Sequence, residues 1–149
     1  MNNPALLALV RELLASQRSA VLATTRQDGQ PYLSLMAFAA TANLKQLILA
    51  TERGTQKYAN LTAEPRVALL IDNRSNVPAD TEDAVAVTVL GRAAEAPPGE
   101  RDELLSLFLA KHPYLEAFAT SPTCALITVQ VETYIVVQQF QEVREIKMT

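Results

Sequence analysis

The sequence predicts a mainly β fold, an antiparallel barrel of about six strands with helices at its edges. Three observations carry that reading. β-rich runs are separated by short turn signals, above all Asp28-Gly29 between two of them. Pro31 to Ala40 is apolar on both faces, with Tyr32, Ser34, Met36 and Phe38 on one and Leu33, Leu35, Ala37 and Ala39 on the other. Such a strand belongs at the centre of a closed or covered sheet. Finally, Val67-Ala68-Leu69-Leu70-Ile71 is continuously apolar, as a buried strand should be.

The elements follow in chain order. Pro4 to Gln17 reads as an amphipathic helix, with Leu6, Leu9, Leu13 and Leu14 at helical spacing and a proline suited to the first turn. Ser19 to Thr25 and Pro31 to Ala40 form a hairpin about Asp28-Gly29. A turn over Thr41 to Lys45 leads to a third strand, Gln46 to Thr51, which completes a meander. A helix from Thr55 to Ala63 stops ahead of Pro65. After the apolar fourth strand, residues 72–83 read as a polar surface loop. A valine-rich fifth strand spans Ala84 to Glu95. Pro97-Pro98-Gly99 breaks it, and a helix with Glu100, Asp102 and Glu103 in its first turn follows. Leu104, Leu105, Phe108 and Leu109 face the core from that helix, His112-Pro113 closes it, and Leu115 to Thr120 adds a short piece. The last long strand runs from Cys124 to about Phe140, and the tail from Glu142 to Met148 either adds a strand or frays.

The totals bound the function. The 149 residues form one domain, 1–149, with 49% hydrophobic residues, 19% charged residues and a net charge of −3. No basic cluster exceeds a pair, so no nucleic-acid surface is expected. No apolar run reaches the roughly 18 residues of a membrane span. The N-terminus lacks a basic n-region, and a cytoplasmic location is expected. One cysteine, Cys124, rules out an internal disulfide. One histidine, His112, leaves a zinc site short of ligands, and no metal is expected. His112 sits at a helix end, where a cation stabilises the dipole, with no nucleophile motif around it. Cys124 reads as a small buried hydrophobe. Intrinsic chemistry is therefore scarce, and a cofactor should carry any reaction.

One stretch invites an anion. The strand Leu47 to Thr51 breaks into Glu52-Arg53-Gly54 before a helix opens with Lys57 in its first turn. A cation there opposes the helix dipole at a cost of about 0.3–1 kcal/mol unless something negative lies nearby. Backbone N–H groups at a helix start attract anions, and Arg53 with Lys57 would complete a phosphate socket. Taken alone, Lys57 is more simply a solvated lysine on an exposed face.

The order of motifs resembles the flavin-binding split-barrel proteins related to pyridoxamine 5′-phosphate oxidase. The resemblance rests on Ala23-Thr24-Thr25 with Asp28-Gly29-Gln30-Pro31 and Ser34, then Leu49-Ala50-Thr51, then Lys57-Tyr58-Ala59-Asn60-Leu61 with Glu64-Pro65-Arg66-Val67-Ala68-Leu69. Thr88-Val89-Leu90-Gly91-Arg92-Ala93 and a late Tyr134 complete it. It implies a six-stranded antiparallel split barrel, a homodimer and FMN at the subunit interface. By position, Ser34, Leu35, Met36 and Ala37 would run beside the isoalloxazine ring and ribityl chain. Thr51 would bond the phosphate or ribityl region, and Lys57 would bind the phosphate. Gln56 stands where the true oxidases carry arginine, so Arg53 could be recruited instead. Arg74 and Ser75, in Asn73 to Asn76, would contact the flavin or phosphate. Tyr134 falls where the oxidases place a tryptophan near the neighbouring subunit's flavin.

The departures narrow the function. The chain has no tryptophan, and Ser34 replaces an arginine of the oxidases. Residues 142–147 lack their arginine–histidine pattern, which counts against vitamin B6 oxidation. A haem-degrading branch carries glycines where this chain has Gln138-Gln139-Phe140-Gln141. The resemblance therefore implies an FMN-dependent oxidoreductase acting on a small molecule, with a nicotinamide as a candidate reductant. The alternative is a non-catalytic flavin- or haem-binding carrier or sensor.

Overall fold

Each of six strands finds a hydrogen-bonding neighbour on both sides, and that closes the barrel. The computed structural model describes residues 3–139 and 141–149. Phe140, where the sequence reading ends the last long strand, lies outside the described residues, as do Met1 and Asn2. The strands are β1 (Ser19–Thr25), β2 (Pro31–Ala40), β3 (Gln46–Glu52), β4 (Arg66–Asp72), β5 (Ala86–Glu95) and β6 (Cys124–Gln138). All pairings are antiparallel, and the circuit runs β1-β2-β3-β6-β5-β4 and back to β1. A seventh strand, β7 (Glu142–Lys147), pairs with the second half of β6 beyond the point where β3 leaves it.

Local chemistry explains the boundaries. Asp28 Oδ1 accepts from Gln30 N at 3.0 Å, and Gly29 takes φ +89°, a value that favours glycine in the β1–β2 turn. Asn3 caps α1 (Pro4–Ser16), accepting from Ala5 N and Leu6 N, and the helix buries Leu6, Val10, Leu13 and Leu14. Thr55 caps α2 (Gln56–Ala63) by accepting from Tyr58 N. Gly91 lies at a register shift between β5 and β6. A Cβ there would fall on the Gln130 carbonyl oxygen and 2.9 Å from Val129 Cγ1, so only glycine fits this close approach.

The barrel interior holds Leu22, Met36, Phe38, Leu49, Leu69, Val89 and Ile127. A second apolar layer lies outside the barrel wall. Ala39, Ile48, Ala50 and Leu126 point away from the interior and are covered by Leu104 and Phe108 of α4 (Arg101–Lys111).

Several expectations change. Residues 72–83 are not all loop: a short helix, α3 (Asp80–Asp83), forms there. Its Asp80 carboxylate accepts from the N–H groups of Ser75, Asn76 and Val77, which holds the carboxyl below its usual range, chiefly through the Ser75 bond. Of the two readings left open for the tail, the strand holds: it forms β7. The first half of β2 is not covered on its outer face, where Leu33 and Leu35 are 67% and 76% exposed.

Candidate functional site

The two long neighbours β2 and β3 stay together only briefly. They pair at Phe38–Leu49, Ala39–Ile48 and Ala40–Leu47, and then part. From Pro31 to Ala37, β2 pairs with β1 alone. Its other edge therefore carries backbone donors and acceptors with no strand beside them. A cavity of about 350 Å³ opens in the gap. Leu35, Met36 and Ala37 form its β2 side, and Ala50, Thr51 and Glu52 its β3 side. Thr55 and Lys57 close one end at the start of α2. Phe108 of α4, Leu115 of a 3-10 turn (Pro113–Leu115) and Phe118 of α5 (Glu116–Ala119) form the outer wall.

Of the residues the sequence reading named, five meet here: Leu35, Met36, Ala37, Thr51 and Lys57. Ser34 is half-buried one residue earlier and does not line the cavity. Gln56 turns to a different hollow beside the β1–β2 turn, where its Nε2 donates to Asn60 Oδ1 at 2.7 Å. Asn60 in turn donates to the buried Thr24 hydroxyl at 3.0 Å, which ties α2 to the barrel. Arg74 pairs with Asp72 at 3.0 Å and lines a third hollow with Asp80 and Gln138. Ser75 donates its N–H to Asp80. Within one chain neither Arg74 nor Ser75 reaches the β2–β3 cleft.

Tyr134 departs furthest from expectation. It is fully buried in the barrel core, and its hydroxyl donates to the Leu44 carbonyl at 2.6 Å. Burial pushes its phenol well above the ordinary range. The strand alternation that sends Tyr134 inward leaves no part of it at the cleft.

Arg53 is also unavailable as a phosphate ligand. Its guanidinium pairs with Glu95 at 2.5 Å and donates to the Pro122 carbonyl at 3.0 Å. Tyr58 donates its hydroxyl to the other Glu95 oxygen at 2.8 Å. The Arg53 bond is the chief reason the Glu95 carboxyl titrates below its usual range. Lys57, by contrast, forms no ion pair among the described residues. Thr51 and Thr55 share a hydroxyl contact of 3.2 Å beside it. At the helix start Thr55 accepts from Tyr58 N and Ala59 N, so the N–H groups of Gln56 and Lys57 are the open donors.

His112 takes a role the sequence did not suggest. It stands at the end of α4 as expected, but fully buried. Nε2 lies 2.7 Å from the Phe38 carbonyl, which can only accept, so Nε2 carries the proton. Nδ1 then accepts from the Tyr114 hydroxyl at 3.2 Å. Burial lowers its pKa, and Lys111 and Arg18 add to that effect. The imidazole is neutral and structural, pinning the outer wall of the cleft to β2. Cys124 is buried as expected, and burial pushes its thiol up, so it is inert.

Phe108, Leu115 and Phe118 were not foreseen as site residues. Spacing marked Phe108 as core-facing, and nothing in it separates a helix face that covers a sheet from one that walls a cleft.

A family model described as pyridoxamine 5′-phosphate oxidase matches residues 6–138. No curated protein sequence matches the chain. Among solved structures, the haem-binding protein from Mycobacterium smegmatis superposes with TM-score 0.86 at 17% identity, covering 99% of this chain and 60% of that one. General stress protein 26 from Bacillus anthracis gives TM-score 0.73 at 20% identity, covering 96% and 98%. A FAD-binding protein from Mesorhizobium loti gives 0.69 at 20%, covering 87% and 90%. These likenesses concern the fold, and the chain spans only about three-fifths of the haem-binding protein.

Proposed function

Because the chain belongs to the pyridoxamine 5′-phosphate oxidase family, we propose that it is an FMN-binding oxidoreductase that holds its flavin in the β2–β3 cleft of a homodimer and acts on a small molecule. One observation carries this reading: a cavity with apolar walls ends, on a helix start, at a lysine that forms no ion pair among the described residues. That polarity matches a ligand with a flat apolar ring at one end and a phosphate at the other. The volume falls in the range of small-molecule sites, about 300–1,000 Å³. Leu35, Met36 and Ala37 would lie along the ring. The free edge of β2 offers backbone groups to its heteroatoms. Lys57, the Gln56 and Lys57 N–H groups and the Thr51 and Thr55 hydroxyls would take the phosphate. FMN would supply the redox chemistry through its ring, while the chain supplies orientation and charge.

The outer face of the sheet supports self-association. Leu35 stands opposite Val21, which stands opposite Leu70. One row on, Leu33, Ala23, Ala68 and Leu90 align across four strands. Leu33, Leu35, Leu70 and Leu90 are exposed in the single chain, an apolar patch of the kind that marks an interface. Leu35 belongs both to this patch and to the cleft. A second copy seated there would complete the cofactor site and bring its own loop 73–76 as a source of further contacts.

A second reading, a flavin- or haem-binding carrier without turnover, draws on the haem-binding structural neighbour. His112 is the only histidine in the sequence and both its nitrogens are engaged, so this chain offers haem iron no imidazole. Absorption spectra with added FMN and with added haem separate the two readings. Lys57→Ala should weaken FMN by about 1.5–3 kcal/mol, roughly 10- to 150-fold in Kd. Unchanged affinity would remove Lys57 from the site, and failure to take up FMN would sink the proposal.

A further inference from the structure

A second cavity lies away from the cleft, on the other side of α4. It has a volume of about 440 Å³ and opens between α1, α4 and the β2–β3 turn. Its walls are apolar, including Leu14, Ala39, Leu44 and Leu107. Lys111, Arg11 and Thr41 are the exceptions, and Lys111 is the one withdrawn from water. Its ammonium donates to the Leu14 carbonyl at 2.8 Å and sits 3.8 Å from the centre of the Phe38 ring. Leu14 is in the last turn of α1, so this bond satisfies one carbonyl the helix leaves open.

That capping role uses one of three ammonium protons. No carboxylate pairs with Lys111 among the described residues. Arg11 lines the same cavity, donates to the Ala42 carbonyl at 3.4 Å and forms no ion pair either. Burial holds the Lys111 amine down at about 8, as expected for a cation withdrawn from water without a counter-ion. The cavity therefore joins apolar walls to two cations and contributes no anion.

We propose that this cavity binds an amphipathic monocarboxylate, with the carboxylate on Lys111 and Arg11 and the apolar tail against Leu14, Leu44 and Leu107. A carboxylate supplies the missing charge, and an apolar tail displaces water from walls that cannot bond it. The site is independent of the flavin proposal, since it shares no lining residue with the β2–β3 cleft.

Octanoate is the probe, with 1-octanol as its uncharged counterpart. Lysine-labelled protein is followed by NMR while each compound is titrated. Saturable octanoate binding should raise the Lys111 pKa by about one unit or more, because a nearby anion favours the ammonium. The alcohol should bind at least about tenfold more weakly. Ala110 lines the cavity on the exposed face of α4, so Ala110→Trp fills the space and leaves Lys111 in place. This variant should keep its melting temperature and lose octanoate binding. Lys111→Met should lose it too. Absence of any saturable shift at Lys111 up to about 10 mM octanoate, equal binding of the alcohol, or binding that survives Ala110→Trp overturns the proposal and leaves Lys111 a helix cap alone. FMN titration of the same variants should be unchanged.

Discussion

Replacing Tyr134 by phenylalanine removes one hydroxyl and separates two accounts of this residue. The resemblance places Tyr134 at a flavin; the structure puts it in the core, bonded to the Leu44 carbonyl at 2.6 Å. Leu44 is a demanding partner. It adopts φ +62°, a left-handed conformation that costs a non-glycine residue about 1–2 kcal/mol, while its side chain is buried. Burial of the side chain and the Tyr134 hydrogen bond hold the turn in that conformation. Tyr134→Phe keeps the ring and its packing but leaves a buried carbonyl without its donor. The expected loss is about 1–3 kcal/mol. For a chain of this size that is a fall of roughly 2–12 °C in melting temperature. Thermal unfolding followed by circular dichroism measures it, and FMN titration of the same protein should show unaltered affinity. A variant that melts like the parent but binds FMN tenfold more weakly would refute the core assignment and return Tyr134 to the cofactor.

Three other perturbations test separate parts of the structure. Gly91→Ala drives a methyl group onto the Gln130 carbonyl and should destabilise the barrel by about 1–3 kcal/mol or more, read by urea unfolding. Leu33→Asp places a charge on the β2 end of the exposed apolar face without touching the cleft; sedimentation should find the parent dimeric and the variant monomeric. Lys111 titrates near 8 in the folded chain against an ordinary 10.5. Between those values the unfolded chain holds a proton that the folded chain lacks, so unfolding free energy should rise with pH across that window. A shift of that size corresponds to about 3 kcal/mol; the Leu14 carbonyl, the Phe38 ring and partial exposure favour the ammonium and reduce this to about 1–2. Lys111→Met should flatten the rise, as measured by unfolding at a series of pH values.

The barrel was legible where signals are local. β1 and β2 begin and end where the sequence reading puts them because Asp28-Gly29 and Pro31 set the turn chemistry by themselves. The end of α2 at Ala63, ahead of Pro65, was legible in the same way. α3 was not, because the Asp80 carboxylate organises it by gathering three backbone N–H groups, and no periodicity records that. His112 was misjudged because its decisive partner is a carbonyl 74 positions earlier. Arg53 was misjudged for a similar reason, since Glu95 is 42 positions away. For the cleft, the sequence named the strand side and the lysine. The aromatic wall appears only when α4 and α5 are laid over the place where β2 and β3 separate.

That separation explains why the cleft and the apolar face belong together. β3 pairs with β6 over Gln46 to Glu52, yet holds β2 over only three residues. Had the β2–β3 pairing continued, Leu35 to Ala37 would be sealed in a ladder and no cavity would exist. Their open backbone edge needs hydrogen-bond partners, which water, a ligand or another chain can supply. Water serves the edge but not Leu33 and Leu35, whose exposure is costly in a single copy. A flat polar-edged ring against the backbone and a second copy against the leucines satisfy both requirements. Because Leu35 is common to the two surfaces, the proposed cofactor and the proposed dimer contact would share one wall. Anything that binds only the assembled form stabilises it by mass action, so flavin affinity and self-association would be two readings of one equilibrium.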